Sequence, residues 1–185
     1  MIDSYIAGVR AALWGMPYQW PAEQTEQLLL LHARQGTGPL VYPSVLADTS
    51  LSSYVRAQMK GACMTTMQQH TLLHHTLSQA WTAFQKAGID VVLMKGAGLA
   101  ALYPTPECRP WGDVDLFEGK DQYHPDCAVM RETFPNALKF DEELDHYKHY
   151  NLIADGISIE IHRVSVGFQH PVNERRYAAI EQYCM

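Results

Sequence analysis

Between Gly156 and His162 apolar and polar residues alternate without a break, with Ile157, Ile159 and Ile161 on one side and Ser158, Glu160 and His162 on the other. A period of two is that of an extended strand with one apolar and one polar face. The stretch Asp113-Val-Asp-Leu116 repeats it: the two aspartates share a face, Val114 and Leu116 turn the other way into a core, and Gly112 to Phe117 is predicted as a strand. Asp90 to Met94 reads as a short buried strand and Tyr147 to Ala154 as another. The intervening Asp155-Gly156 joins the last two strands as a hairpin.

The first half of the chain has a helical rhythm. Ile2 to Trp14 is predicted as one helix, and a second starts at Pro21, a favourable first-turn residue, and runs to about Gln35, where Gly36-Thr-Gly-Pro39 stops it. Ser52 to Lys86 is nearly free of glycine and predicts one long helix, or two joined near Gly61, ended by Gly88. Leu99 to Tyr103 is predicted as a short helix following the first strand, Gln122 to Thr133 as another, and Gln169 to Met185 as the start of a helical region. These elements predict an α/β (α+β) fold with a small mixed sheet. The expected organisation is a helical N-terminal region over 1–88 packed on a core over 89–170, with 171–185 expected to open a C-terminal helical region that would continue in a longer natural protein.

Composition narrows the function. A chain of 185 residues with 47% hydrophobic residues can bury a full core, and a single domain with helical additions is the expectation. A formal charge of −6 argues against general affinity for nucleic acid, whose phosphates require clustered Lys and Arg, although a local basic site can still hold one nucleotide. Cys63, Cys108, Cys127 and Cys184 show neither a metal-binding spacing nor a dense disulfide framework. With no leader-like segment and no uninterrupted apolar span, they point to a cytoplasmic protein without membrane partners.

The chemistry gathers on the strands. Two carboxylates side by side on an apolar-backed strand repel each other unless cations lie between them, and oxygen-only ligands favour Mg²⁺ or Mn²⁺. Asp113 and Asp115 are therefore candidate metal ligands, with Glu160 as the third if its strand lies beside theirs. Upstream, Lys95-Gly96-Ala97-Gly98 sits at a strand-to-helix junction, where backbone N–H groups can approach a phosphate and Lys95 can neutralise one. The order Gly-Lys-Ser/Thr of a P-loop is missing. Arg109 could bind phosphate or pair with Asp113 or Asp115, and Lys148 is a further candidate phosphate partner. His162 shares the face of Glu160 and could orient it. His70 and His74 have a zinc-compatible spacing on the long helix, for which a surface or packing role is favoured.

Taken together, Lys95-Gly96-Ala97, Arg109, Asp113-Val-Asp115-Leu and Glu160-Ile-His162 make the chain resemble the nucleotidyltransferases of the DNA polymerase β superfamily over roughly Val91 to His162. The resemblance is to the minimal branch of uncharacterised bacterial nucleotidyltransferases and related abortive-infection toxin enzymes. It implies a polymerase β-like palm, Mg²⁺ (or Mn²⁺) dependence, and transfer of a nucleoside monophosphate from an NTP to an acceptor hydroxyl with release of pyrophosphate. By carry-over, Gly96 and Ala97 stand at the nucleotide-binding turn, Asp113 and Asp115 at the metals, and Glu160 at the third carboxylate. Two departures stand out: Lys95-Gly96-Ala97 replaces the commoner Gly-Ser, removing a hydroxyl that would contact phosphate, and Tyr103 to Cys108 lengthens the run to Asp113. The acceptor could be a protein, a small molecule or a tRNA end.

Other chemistries fit less well. A haloacid dehalogenase-type phosphohydrolase places its first aspartate at the end of a hydrophobic strand, whereas Pro110-Trp-Gly112 precedes Asp113. A glycosyltransferase needs a larger nucleotide-binding domain. The alternative is a catalytically inactive nucleotide-binding or toxin-antitoxin-type interaction module, which the altered glycine turn permits and the three carboxylates oppose.

Overall fold

The structure, a computed structural model, describes residues 1–117, 123–140, 148–166 and 171–181. It resolves into two compact units, one from Met1–Leu72 and Leu99–Trp111, the other from Leu73–Gly98 and Gly112–Met185.

The first unit is helical. α1 (Ile2–Trp14) ends where predicted, at Gly15 with φ 64°. α2 (Thr25–Arg34) starts later than the predicted Pro21, because the Pro21 carbonyl closes a turn with the Gln24 N–H at 2.9 Å and accepts the Thr25 hydroxyl at 2.9 Å. A second correction follows at Gly36-Thr-Gly-Pro39, which ends α2 but also begins α3 (Gly38–Ala47). Pro39 needs no N–H partner in the first turn. Pro43 lies inside α3 and forfeits one helical hydrogen bond, but the helix places Leu40, Val41 and Val45 in the core, and that burial outweighs the local penalty. Val41 and Val45 cluster there with Trp20, Leu28, Leu29, Leu51 and Met59. Within the same unit Cys63 and Cys108 meet thiol to thiol at 3.6 Å, both buried. The lost solvation, together with the contact to Cys63, pushes the Cys108 thiol up to about 12.

α4 (Ser53–Ala87) is one continuous helix through Gly61, and its C-terminal part belongs to the second unit. There Leu73, Thr76, Leu77, Ala80 and Phe84 form a buried stripe at helical spacing. The sheet of this unit comprises β1 (Val92–Met94), β2 (Asp113–Phe117), β3 (Leu138–Lys139), β4 (His149–Ala154) and β5 (Ile157–His162), in the order β1-β2-β5-β4-β3. β2 and β5 run parallel and the other neighbours antiparallel. β1 is an edge strand, shorter than the predicted Asp90–Met94 and half-buried rather than buried. β5 is central, with Ile159 and Ile161 fully enclosed. Asp155 and Gly156 both take positive φ, 51° and 80°, as a two-residue turn between right-twisted strands requires.

The short helix predicted at Leu99–Tyr103 is corrected to α5 (Lys95–Ala100). The chain leaves β1 through Lys95 itself, at φ 46°, so the turn into the helix is made by a lysine and needs no glycine. Gly98 serves a different need: a Cβ there would stand 3.0 Å from the Leu93 carbonyl oxygen, so its lack of a side chain lets α5 lie close on β1. α6 (Tyr123–Thr133) packs against β5, and α7 (Pro171–Glu181) follows. The expected ends at Gln122, Tyr147, Gln169 and Met185 lie outside the described residues. The described residues thus form a mixed α/β fold of seven helices and five strands, and none of those helices is long and apolar enough to cross a membrane.

Candidate active site

The parallel pairing of β2 with β5 builds the site. It sets Asp115 directly beside Glu160 and Asp113 beside Ser158, and strand alternation keeps all three carboxylates on one face. One ligand oxygen from each of Asp113, Asp115 and Glu160 lies within 4.8 Å of the others. Lys95, at the mouth of α5, donates from its ammonium to Asp115 Oδ1, and Nζ is 4.0 Å from Glu160 Oε2. Asp115 is enclosed, whereas the Lys95 side chain is 52% exposed and so has room to move.

His162 completes the arrangement from beneath. It is fully buried, and its Nε2 lies 2.9 Å from Asp115 Oδ1 and 3.1 Å from Glu160 Oε2, so an N–H there is shared between two carboxylates. On β4, His149 is the register partner of His162, and its Nδ1 is 3.8 Å from Glu160 Oε2. Ser158 donates to Asn151 Oδ1 at 2.9 Å farther along the same pair of strands.

The charges divide the carboxylates into two kinds. Burial alone would raise the pKa of Asp115, but the hydrogen bonds from His162 and Lys95 outweigh it and hold the carboxyl below its usual range. The His162 hydrogen bond lowers Glu160 despite partial burial. Asp113 goes the other way, raised by burial and then by its two acidic neighbours. Burial would lower His162 and Lys95, but the carboxylates they touch raise both. Lys95 and His162 thus compensate Asp115 and Glu160, while Asp113 is the carboxylate left short of positive charge.

The donor set fits a hard divalent cation: three carboxylates converge, and Asp115 Oδ2 is buried with no hydrogen-bond partner among the described residues. Of the other residues expected at the site, Gly96, Ala97 and Gly98 follow Lys95 in α5, with Ala97 buried. Lys148 directly precedes β4, where its carbonyl accepts the Arg163 N–H at 2.8 Å. Arg109 belongs to the other unit, its guanidinium 5.6 Å above the Tyr103 ring. His70 also lies in that unit and packs edge-on against Trp111. Sequence reasoning left His149 out of the site. The signal was available in the tight Asp155-Gly156 turn, which pairs Ala154 with Ile157 and so, five residues back along β4, His149 with His162.

A family model described as an uncharacterised nucleotidyltransferase matches residues 21–180 of the chain. No curated protein and no solved structure matches it.

Proposed function

The chain belongs to the uncharacterised nucleotidyltransferase family and is a transferase acting on a nucleoside triphosphate, and on that premise we propose that Asp113, Asp115 and Glu160 form its metal-binding catalytic centre. The proposed reaction moves a nucleoside monophosphate from an NTP to an acceptor hydroxyl, with release of pyrophosphate. The observation that carries this reading is the lateral pairing of Asp115 with Glu160, which gathers three carboxylates from two strands of a rigid sheet.

A divalent cation bound there, Mg²⁺ or Mn²⁺, would neutralise triphosphate charge and lower the pKa of the attacking hydroxyl. The chain's own groups prepare for that. Asp113, short of positive charge, has the most to gain from a cation. Lys95 now occupies the mouth of the site as a counter-ion to Asp115. Half exposed on a flexible stem, it can swing to a phosphate oxygen once Asp115 has another cation to bind. His162 holds Asp115 and Glu160 in fixed orientation by hydrogen bonding to both. Glu160, kept ionised, can accept the acceptor's proton. Gly96, Ala97, Gly98 and Lys148 are proposed nucleotide contacts, and the cytoplasm is the proposed location.

Calorimetric titration of ATP, GTP, CTP and UTP with Mg²⁺ tests this. Binding of one triphosphate that requires the metal and disappears in Asp113→Asn/Asp115→Asn is the expected result. Equal binding by the double variant, or none by the wild type, would overturn the site assignment.

A further inference from the structure

Beside the carboxylates the same sheet face carries a second donor set of different chemistry. His149, Glu160 and His162 each offer a ligand atom, and these three atoms lie within 4.8 Å of one another. Two antiparallel strands fix them: His149 and His162 are register partners with ring centroids 5.2 Å apart, and Glu160 lies two residues from His162 on the same face. Glu160 Oε2 is 3.1 Å from His162 Nε2 and 3.8 Å from His149 Nδ1. Around a tetrahedral Zn²⁺, with bonds of about 2.0–2.1 Å, neighbouring donor atoms are roughly 3.3 Å apart. Both distances to Glu160 are close to that, and the two imidazole donors, within 4.8 Å of each other, are brought to it by side-chain rotation.

The chemistry of the donors decides which cation. Two imidazole nitrogens and one carboxylate suit a borderline transition metal, whereas Mg²⁺ prefers oxygen and keeps much of its water. The side chains of His149 and Glu160 are 20% and 19% exposed, His149 Nδ1 is itself buried and His162 forms the enclosed floor, so rotation of the His149 ring admits the cation. We propose that His149, Glu160 and His162 bind a Zn²⁺-class cation, and that this cation and the one assigned to Asp113, Asp115 and Glu160 exclude each other because Glu160 serves both. Zinc bound on the nitrogen-rich side takes the Nε2 lone pair of His162, whose proton passes to solvent, so Glu160 and His162 are drawn away from Asp115 and the chain loses the carboxylate geometry on which the proposed transfer depends. The zinc site itself stands whether or not that transfer reading holds.

The full chain titrated with Zn²⁺ by calorimetry, and with Co²⁺ followed by its visible absorption, tests the site without any assay of turnover. His149→Gln should weaken both by at least the roughly 10–100-fold that loss of a mere supporting contact costs a metal ligand. His149→Cys, which supplies another zinc ligand, should recover most of the Zn²⁺ affinity, and this separates ligation from damage to the strand. Asp113→Asn, which removes only the oxygen-rich set, should leave Zn²⁺ affinity unchanged. Wild-type Zn²⁺ affinity in His149→Gln, or an equal loss in Asp113→Asn, would overturn the assignment. Mutual exclusion requires that prior Zn²⁺ weaken Mg²⁺–triphosphate binding in the wild type and not in His149→Gln. Independent binding of the two would overturn that half. Failure of any triphosphate to bind would count against the transfer site alone.

Discussion

Asp126 and Asp115 are buried alike and behave oppositely, which shows how far a carboxylate's state depends on its partners. Asp115 has Lys95 and His162 on one oxygen and is held ionised. Asp126, on α6, is fully enclosed, neither oxygen has a hydrogen-bond partner among the described residues, and burial pushes its pKa up to about 6 from the usual 3.8. A raised folded-state pKa means that the folded protein keeps the proton between about pH 4 and 6 while the unfolded chain releases it. The stabilisation is therefore complete below about pH 4 and is lost as pH rises through about 6, a change of about 3 kcal/mol. Asp126→Asn, neutral at every pH, should unfold in urea with a higher midpoint than wild type at pH 8 and lose that advantage by pH 4. An unchanged difference across that range would show that Asp126 is ionised in the fold.

At the scale of elements, two helical glycines make opposite predictions. Gly61 lies inside α4 with nothing within 4 Å of a Cβ placed there, so only its backbone freedom matters. Gly61→Ala should stabilise the protein by about 0.8–1 kcal/mol. Gly98 in α5 would bring its new Cβ to 3.0 Å from the Leu93 carbonyl, a main-chain atom of β1 that cannot simply rotate away. Gly98→Ala should therefore cost about 1–3 kcal/mol, the range for overpacking a close contact, despite the better helix propensity of alanine. Because Lys95 and the Asp115 carboxylate meet across this junction, the variant should also weaken triphosphate binding. Chemical denaturation of both variants beside wild type decides the signs. A stabilising Gly98→Ala would mean that α5 does not lie as close to β1 as described.

For the molecule as a whole, the two units carry buried titrating groups of opposite sense. His32 in the helical unit is fully buried, its Nδ1 2.9 Å from Thr37 Oγ1 and its ring 4.5 Å from that of Tyr5, and burial lowers its pKa to about 4 from 6.5. A lowered folded-state pKa gives stability that is present above about pH 6.5 and lost as pH falls toward 4, about 2 kcal/mol of it by pH 5. Asp126, in the other unit, gains over part of the same interval. Mild acid should thus loosen the helical unit selectively. Amide exchange at Leu28, Val41 and Val45 should quicken between pH 7 and 5, after correction for intrinsic rates, and His32→Gln should remove most of that change. Equal quickening in the variant would place the acid sensitivity elsewhere.

Local rules carried the sequence a long way. Strict alternation in Ile157–His162 and Asp113–Leu116, the Asp155-Gly156 turn and the unbroken run into α4 are short-range signals, and each appears as the element it predicts. α3 was not legible, because Pro43 inside a helix is tolerated only for the burial of Val41 and Val45, and the helix after β1 was expected too late in the chain, because Lys95 rather than a glycine takes the left-handed turn. The candidate site divides in the same way. Sequence alone determined which residues could bear charge on one strand face, since alternation is a property of the extended chain itself. Tertiary pairing alone sets β5 parallel beside β2, lets His162 bridge Asp115 and Glu160, and leaves Asp126 without a hydrogen-bond partner among the described residues. Those facts depend on which distant segments pair and what each side chain then meets, and no local period encodes either.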